Sequence, residues 1–458
     1  MAAQQGPPAR WQGWTAGGPG RPTAALAVLL LGLTGCGGPG AGPSPTSAPT
    51  TVVTPTTTTP TSPSGATSPA APAGPETTAE TLRPGAPSTT APAGPSPSAS
   101  SPPSAAPGSG CRAAAARLGV RDQVGQLLMV AVTSTGVTDA QERAVRSSRA
   151  GSLLLLGGST AGTGGTASLV RHLRATAHRP GPDGGREVGV LLAADQEGGL
   201  VQRLRGPGFS DIPAATAQRD LSDARLRGDA QRWGAQLRRA GIDVDLAPVA
   251  DVVSKDLVEV NEPIGRLHRG YGPDPVVVGA KVAAFTTGMD RAGVATAAKH
   301  FPGLGRVRGN TDTARRVVDT TTTRHDPALR GFTAAVGAGV DMVMVSSAVY
   351  RRIDAAQPAT FSTVVVQGMV RGDLGFDGVV VSDDLSAAAL SAWSPQQRAL
   401  RFVRAGGDLL VVGDPASVPA MTDALAARAD RDPAFARRVE RSAGRVLTLK
   451  ARRGLTRC

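Results

Sequence analysis

The sequence predicts an α/β protein: a closed (β/α)8 barrel of the TIM type, preceded by a signal peptide and a disordered linker. Three observations lead there. Composition changes abruptly at residue 111, from Pro, Thr, Ser, Ala and Gly to a globular mixture. Beyond it, short strands that are apolar on both faces alternate with helical stretches, as parallel strands covered by helices do. Charged residues gather just after the strands, where a barrel would bring them to one mouth.

In chain order, residues 1–36 come first. Residues 24–33, AALAVLLLGL, form an apolar run too short to span a bilayer, with Arg10 and Arg21 before it. That is the pattern of a signal peptide with a long charged region in front. The run ends in Leu33-Thr34-Gly35-Cys36, similar to a bacterial lipobox, so Cys36 is expected to be lipidated and to become the new N-terminus. Acyl chains would then hold an extracytoplasmic protein at the cell membrane without a spanning helix. An ordinary secreted protein with an incidental cysteine is the alternative. Residues 37–110 carry too little apolar surface to offset ordering entropy and read as a Pro-rich tether.

The body, residues 111–458, holds eight candidate strands at 127–132, 152–156, 189–193, 243–246, 294–298, 342–345, 379–381 and 409–412. Helices are expected from Ser222 to about 240 with Gly241 as stop, over 275–291 with Gly293, over 326–338 with Gly339, and over 430–450 at the end. An open doubly wound sheet would need a nucleotide-type glycine loop after its first strand; the glycines at 157–158 and 162–165 do not fit one.

The formal net charge is +13, nearly all from arginine, since lysine occurs only at 255, 281, 299 and 450. A basic solvated surface accounts for it, with a loose attraction to an acidic envelope as the functional alternative. Nucleic acid is not expected: there is no zinc-finger spacing or recognition-helix pattern, and aromatics are 3% of the chain. Of the three cysteines, Cys111 and Cys458 bracket the body, and the exported location permits them to form a disulfide.

Asp195-Gln196-Glu197 follows the third strand, Asp251 the fourth, Lys299-His300 the fifth, Ser346-Ser347 the sixth and Asp383-Asp384 the seventh. Buried charges are costly unless paired, so this convergence marks a site. Taken alone, Asp383 would read as a helix cap after a strand.

Several motifs together resemble glycoside hydrolase family 3, in its single-barrel β-N-acetylhexosaminidase branch, over about residues 115–445. They are Asp195-Gln-Glu-Gly-Gly-Leu-Val-Gln-Arg-Leu204, Asp245-Leu-Ala-Pro-Val-Ala-Asp251, Ile264-Gly265 with Arg269-Gly-Tyr-Gly272, Lys299-His-Phe-Pro-Gly303, Pro358-Ala-Thr-Phe-Ser362 and Ser382-Asp-Asp-Leu385. The resemblance implies a retaining hydrolase with Asp383 as nucleophile. It implies Asp195 as a ligand of sugar hydroxyls, Lys299 and His300 as a pair binding ring hydroxyls, Arg269 near the acetamido group, and Arg203 as an arginine of the same motif. Lys299, Arg269 and Arg203 could supply the cations that keep Asp383 ionised. No metal or organic cofactor is needed, and a monomer is expected.

The sequence departs from the family at the acid. Leu304 replaces the second histidine of Lys-His-Phe-Pro-Gly-His-Gly, and the Asp-Ser-His of the following mobile loop reads Asn310-Thr311-Asp312 here. Without gaps, Asp312 falls at the histidine that serves as acid/base; a shift of two residues would put Asp312 at the aspartate and Ala314 at the histidine. The ungapped register, which needs no insertion, makes Asp312 the proposed acid/base, as carboxylates are in most glycosidases. Ser347, His268 and Ala387 also depart from family residues near the mouth. The expected activity is release of β-linked N-acetylhexosamine, with N-acetylglucosamine as the sugar, from peptidoglycan-type cell-wall glycans or their fragments. A catalytically weak or inactive glycan-binding lipoprotein and a hydrolase of another β-linked sugar are the alternatives.

Overall fold

The computed structural model describes residues 109–178 and 187–458. The signal segment, Cys36 and the tether as far as residue 108 lie outside them. Eight parallel strands form the barrel: β1 Leu128–Thr133, β2 Ser152–Leu156, β3 Leu191–Ala194, β4 Val244–Asp245, β5 Ala295–Phe301, β6 Met342–Val345, β7 Val379–Ser382 and β8 Leu410–Val412. They are hydrogen-bonded in the order β7-β6-β5-β4-β3-β2-β1-β8, and a parallel bridge from Val381 to Leu409 brings β7 to β8 and closes the ring. The eight strands are those expected from the sequence, with ends displaced by up to three residues; β3 begins at 191 rather than 189 because Gly189 instead donates its N–H to Leu455 O.

Both strand faces are apolar because both are buried. One set, including Met129, Ala131, Leu154, Ala193, Met344 and Val411, fills the barrel interior, while the alternate residues pack outward against helices. Ser222 caps helix Asp223–Arg239 by accepting from Arg225 N–H, and Asp274 caps Pro275–Arg291 by accepting from Val276 N–H. Gly241, Gly293 and Gly339, the expected stops, all have positive φ. The expected helix over 326–338 splits into a short 3-10 turn, Pro327–Leu329, and helix Arg330–Gly337. The expected terminal helix over 430–450 is corrected to two helices, Val418–Arg431 and Pro433–Arg452, because Asp432 leaves the helical region and caps the second by accepting from Ala434 and Phe435 N–H.

The lower rim uses a repeated device. Asp243, Asp341 and Asp408 precede β4, β6 and β8, and each accepts an N–H from the neighbouring strand, at Leu192, Thr296 and Val380. Each is neutralised by arginine: Arg174 and Arg238 for Asp243, Arg453 for Asp341, and Arg371 with Arg445 for Asp408. Helix Pro433–Arg452 lies under this rim, and its Val446 and Leu449 join the interior cluster and seal the barrel from below.

Cys111 and Cys458 are bonded, with Cα atoms 4.7 Å apart and a sequence separation of 347. A link across so long a loop constrains the unfolded chain strongly, and such bonds contribute about 2–4 kcal/mol. Cys458→Ser is therefore expected to lower the urea midpoint by that free energy, while non-reducing mass spectrometry of the parent shows neither thiol free.

Candidate active site

The site is assembled from strand ends. β3 delivers Asp195 and then enters a tight hairpin of Gln196–Gly198 against Val201–Gln202. Gln196 clamps it: its side-chain amide donates to Leu204 O, and its oxygen accepts from Arg203 and Leu204 N–H. The hairpin places Glu197 beside Asp195. Lys299 near the end of β5 donates to Asp195 Oδ1 at 2.6 Å and contacts Glu197 Oε1 at 2.7 Å. Arg269 grips Glu197 with two parallel bonds of 2.8 Å each. These four side chains are all buried.

Glu197 is the centre of this network. Burial alone would raise its pKa, but Arg269 and Lys299 outweigh burial and lower it to about 2. Burial pulls the other way on Lys299, and Asp195 with Glu197 keeps it raised. Lys299 and Arg269, expected to serve Asp383, instead bond Asp195 and Glu197. Sequence reasoning quoted Glu197 within a motif without assigning it a role. An acid two residues from Asp195, on a strand-end hairpin, was the available signal.

Asp251 is a second organiser. It accepts from His300 N–H, from His300 Nδ1 at 2.8 Å and from Leu304 N–H at 2.7 Å. The carboxylate so fixes the imidazole with Nδ1–H toward itself, and Nε2 lies 3.5 Å from Arg269 Nη2. β7 delivers Asp383 and Asp384. Asp383 Oδ1 accepts from Asp384 N–H, and Asp384 Oδ1 accepts from Ser386 and Gly413 N–H. Burial, with the Asp383 charge adding to it against the backbone donors, raises Asp384 to about 6.

Residues 302–314 cross the mouth. Leu304, at the position of the absent histidine, is 1% exposed and packs into the core. Gly305 passes so close to Val252 O that a Cβ there would lie 1.9 Å from it. Asn261 donates to Leu304 O and Val307 O, while Ala388 and Ala389 N–H donate to Asp312 O and Thr311 O. Stitched at both ends, the loop turns Asp312 into the cavity. Burial, then the charges of Asp383 and Asp384, push Asp312 up to about 8.

One cavity of about 40 Å³ is lined by Asp195, Lys299, His300, Asp312, Asp383 and Asp384, among others. That is room for only a few waters at ~10–15 Å³ each. Arg269 lies behind the lining, touching His300. Arg203 is half-buried and outside the lining; its backbone N–H donates to Asp195 O and Gln196 Oε1, so it supports the hairpin. His172, His178, His268 and His325 do not line the cavity. Asp245 sits below, raised to about 8 first by burial, with one oxygen accepting from Gln196 N–H.

The family model described as Glycosyl hydrolase family 3 N terminal domain matches residues 119–449. A beta-hexosaminidase of Stenotrophomonas maltophilia is 33% identical over 314 residues, covering 66% of this chain and 88% of that protein. A crystal structure of a beta-N-acetylhexosaminidase from Beutenbergia cavernae is similar with TM-score 0.71 and 46% identity, over 73% of this chain and 99% of that one. A family 3 beta-N-acetylglucosaminidase from a Paenibacillus species matches with TM-score 0.65 and 29% identity, over 74% and 63% of the two chains.

Because a buried cation left without its partner is strongly destabilising, Glu197→Ala is expected to cost about 3–5 kcal/mol of stability, read as a lower denaturation midpoint. Glu197→Gln, which keeps the shape and loses the charge, is expected to abolish turnover as well.

Proposed function

This chain belongs to glycosyl hydrolase family 3, and from that membership we infer that it is a glycoside hydrolase of the β-N-acetylhexosaminidase type, releasing N-acetylhexosamine by a retaining mechanism. N-acetylglucosamine is the proposed sugar, and peptidoglycan-type glycans or their fragments are the proposed source. The observation that supports the mechanism is that Asp312 and Asp383 line one cavity, where burial and the neighbouring carboxylates raise Asp312 to about 8.

Retention requires two carboxyl groups, one that attacks the anomeric carbon and one that protonates the leaving oxygen. Asp383 is the proposed nucleophile. Asp312 takes the place of the family histidine as the acid. Part of its raised pKa comes from the negative charge of Asp383. When Asp383 becomes esterified to the sugar that charge disappears, Asp312 acidifies, and it can accept the proton of the incoming water. One residue thereby serves both half-reactions. Lys299 spends two of its three hydrogens on Asp195 and Glu197 and keeps one for a ring hydroxyl. The second oxygen of Asp195 and Nε2 of His300 complete the proposed ring contacts, with Arg269 toward the acetamido side.

For the whole chain we propose export, lipidation at Cys36 and attachment to the cell membrane, on the strength of segment 24–36. An oxidised Cys111–Cys458 pair suits that compartment. A monomer is the proposed state. The absence of the loop histidine favours a second reading, a slow or inactive glycan binder; a hydrolase of another β-linked sugar is the third.

Aryl β-glycosides of several sugars separate these readings. Asp383→Asn is expected to abolish turnover; tight glycan binding by a parent without turnover would establish the binder. Asp312→Asn is expected to slow natural glycans about 10²–10⁴-fold while leaving activated aryl glycosides largely unaffected. Equal slowing of both would remove Asp312 as the acid.

The pH profile is the companion test. An acid raised to about 8 works only while protonated, so kcat/KM for unactivated substrates should fall about tenfold per pH unit above about 8. That limb should vanish in Asp312→Asn.

A further inference from the structure

The pole opposite the active site carries a second charged feature that the hydrolase does not use. The inner face of helix Pro433–Arg452 seals the barrel through Val446 and Leu449. Its outer face presents Arg437, Arg438, Arg441, Arg445 and Arg452. Arg112, on helix Ser109–Ala116, packs beside Gly444. Arg112, Arg441, Arg445 and Arg452 line an open cavity of about 400 Å³ at the N-terminal ends of β6 and β7.

Acidic partners do not balance these arginines. Asp341 lies 2.7 Å from Arg453 and only 4.0 Å from Arg452, and Asp408 is shared between Arg371 and Arg445. Glu440 is 3.9 Å from Arg112, and Asp377 also lines the cavity. Arg437 and Arg441 pair with no acid among the described residues. Burial and then crowding by Arg438, Arg112, Arg445 and Arg437 push the Arg441 pKa down. Positive charge accumulated on one face is a site for a polyanion.

The tether joins the body at the same pole. Helix Ser109–Ala116 is the first described element, Gly110 lies against the carbonyl of Cys458, and the Cys111–Cys458 bond fixes that junction. Residues 37–108, expected from the sequence to form a tether, lie outside the described residues. A tether of that kind limits distance and leaves orientation open; a charged face sets orientation.

We propose that the arginine face formed by helix Pro433–Arg452 and Arg112 docks on an anionic phospholipid bilayer, holding the active-site mouth away from it. The occupant is chosen by where the chain enters, and the proposal rests on the membrane attachment proposed above. Lipidation is checked separately by the mass of the mature N-terminus, so the two can fail independently.

The test uses the full chain carrying Cys36→Ala, which cannot be acylated, sedimented with phosphatidylglycerol or phosphatidylcholine vesicles. Phosphatidylcholine reports any contribution of the apolar segment 24–33. Each arginine facing an anionic bilayer multiplies binding by roughly fivefold. Arg112→Glu/Arg437→Glu/Arg441→Glu should therefore lower phosphatidylglycerol binding by at least ~100-fold, and the parent's binding should fall steeply between about 50 and 500 mM salt.

Arg351→Glu/Arg352→Glu, on the mouth side, should bind like the parent. Turnover of a soluble aryl glycoside by each variant shows that it is folded; should the triple variant lose turnover, the exposed single Arg437→Glu decides by its fivefold loss. Equal binding by the parent and by the Arg112/Arg437/Arg441 and Arg437 variants, equal binding to both lipids, or tighter binding to soluble poly(glycerol phosphate) than to vesicles would overturn the proposal.

Discussion

The barrel mouth is organised around Glu197, whose carboxylate lies between two buried cations, Lys299 and Arg269. The cost of removing an ion from water is recovered only by a close, well-oriented partner; Glu197 is that partner for Arg269 and shares Lys299 with Asp195. Once those contacts form, other positions follow. Lys299 is aimed at Asp195, Arg269 is brought against His300, and His300 is held from behind by Asp251. Three strand ends are thereby coupled electrostatically as well as through the ladder. The bidentate grip of Arg269 on Glu197 sets a plane that lysine could not reproduce.

Charge balance explains the remaining carboxyls. Asp195, Glu197, Asp245, Asp251, Asp312, Asp383 and Asp384 crowd a region whose permanent cations are Lys299 and Arg269. Burial first, and then the neighbouring negative charges, favour protons on part of this set: Asp245 and Asp312 are raised to about 8 and Asp384 to about 6. A histidine acid would need no such crowding to hold its proton near neutrality. A carboxyl acid does, so the role proposed for Asp312 depends on burial and neighbouring acids that penalise its ionisation.

Much of this was legible in the sequence, for identifiable reasons. The strands stood out because burial on both faces leaves an uninterrupted apolar run, as in 152–156, and the helix stops at Gly241, Gly293 and Gly339 stood out because the chain needs positive φ there. Asp195, Lys299, His300 and Asp383 could be assembled because the rule that strand ends share a mouth depends on topology alone, whereas Asp312 was reached only through the resemblance of residues 310–312 to a family loop. What topology does not give is partnership. Whether Lys299 and Arg269 face a catalytic carboxylate or a structural one depends on side-chain reach across strands, and the place of Glu197 two residues after Asp195 marks it as an acid of the mouth without saying which cations it meets. The break at Asp432 was missed for another reason: the apolar positions on either side continue, and only the cap geometry separates the two helices.

The two poles divide the labour of one scaffold. At the upper rim, carboxyls outnumber cations and the excess is taken up by protons, which makes the site reactive. At the lower rim, Asp243, Asp341 and Asp408 are each matched by arginine and by a strand N–H, which makes the barrel floor inert. Arginine cannot relieve an excess of its own charge by losing a proton near neutral pH. Surplus cations on the outer face of the sealing helix must therefore be balanced by solvent ions or by an external polyanion, whereas surplus acids inside the mouth can simply hold hydrogen. That asymmetry between ionisable acids and permanently charged guanidinium groups is the physical basis of the two proposals, proton transfer at one end of the barrel and attachment at the other.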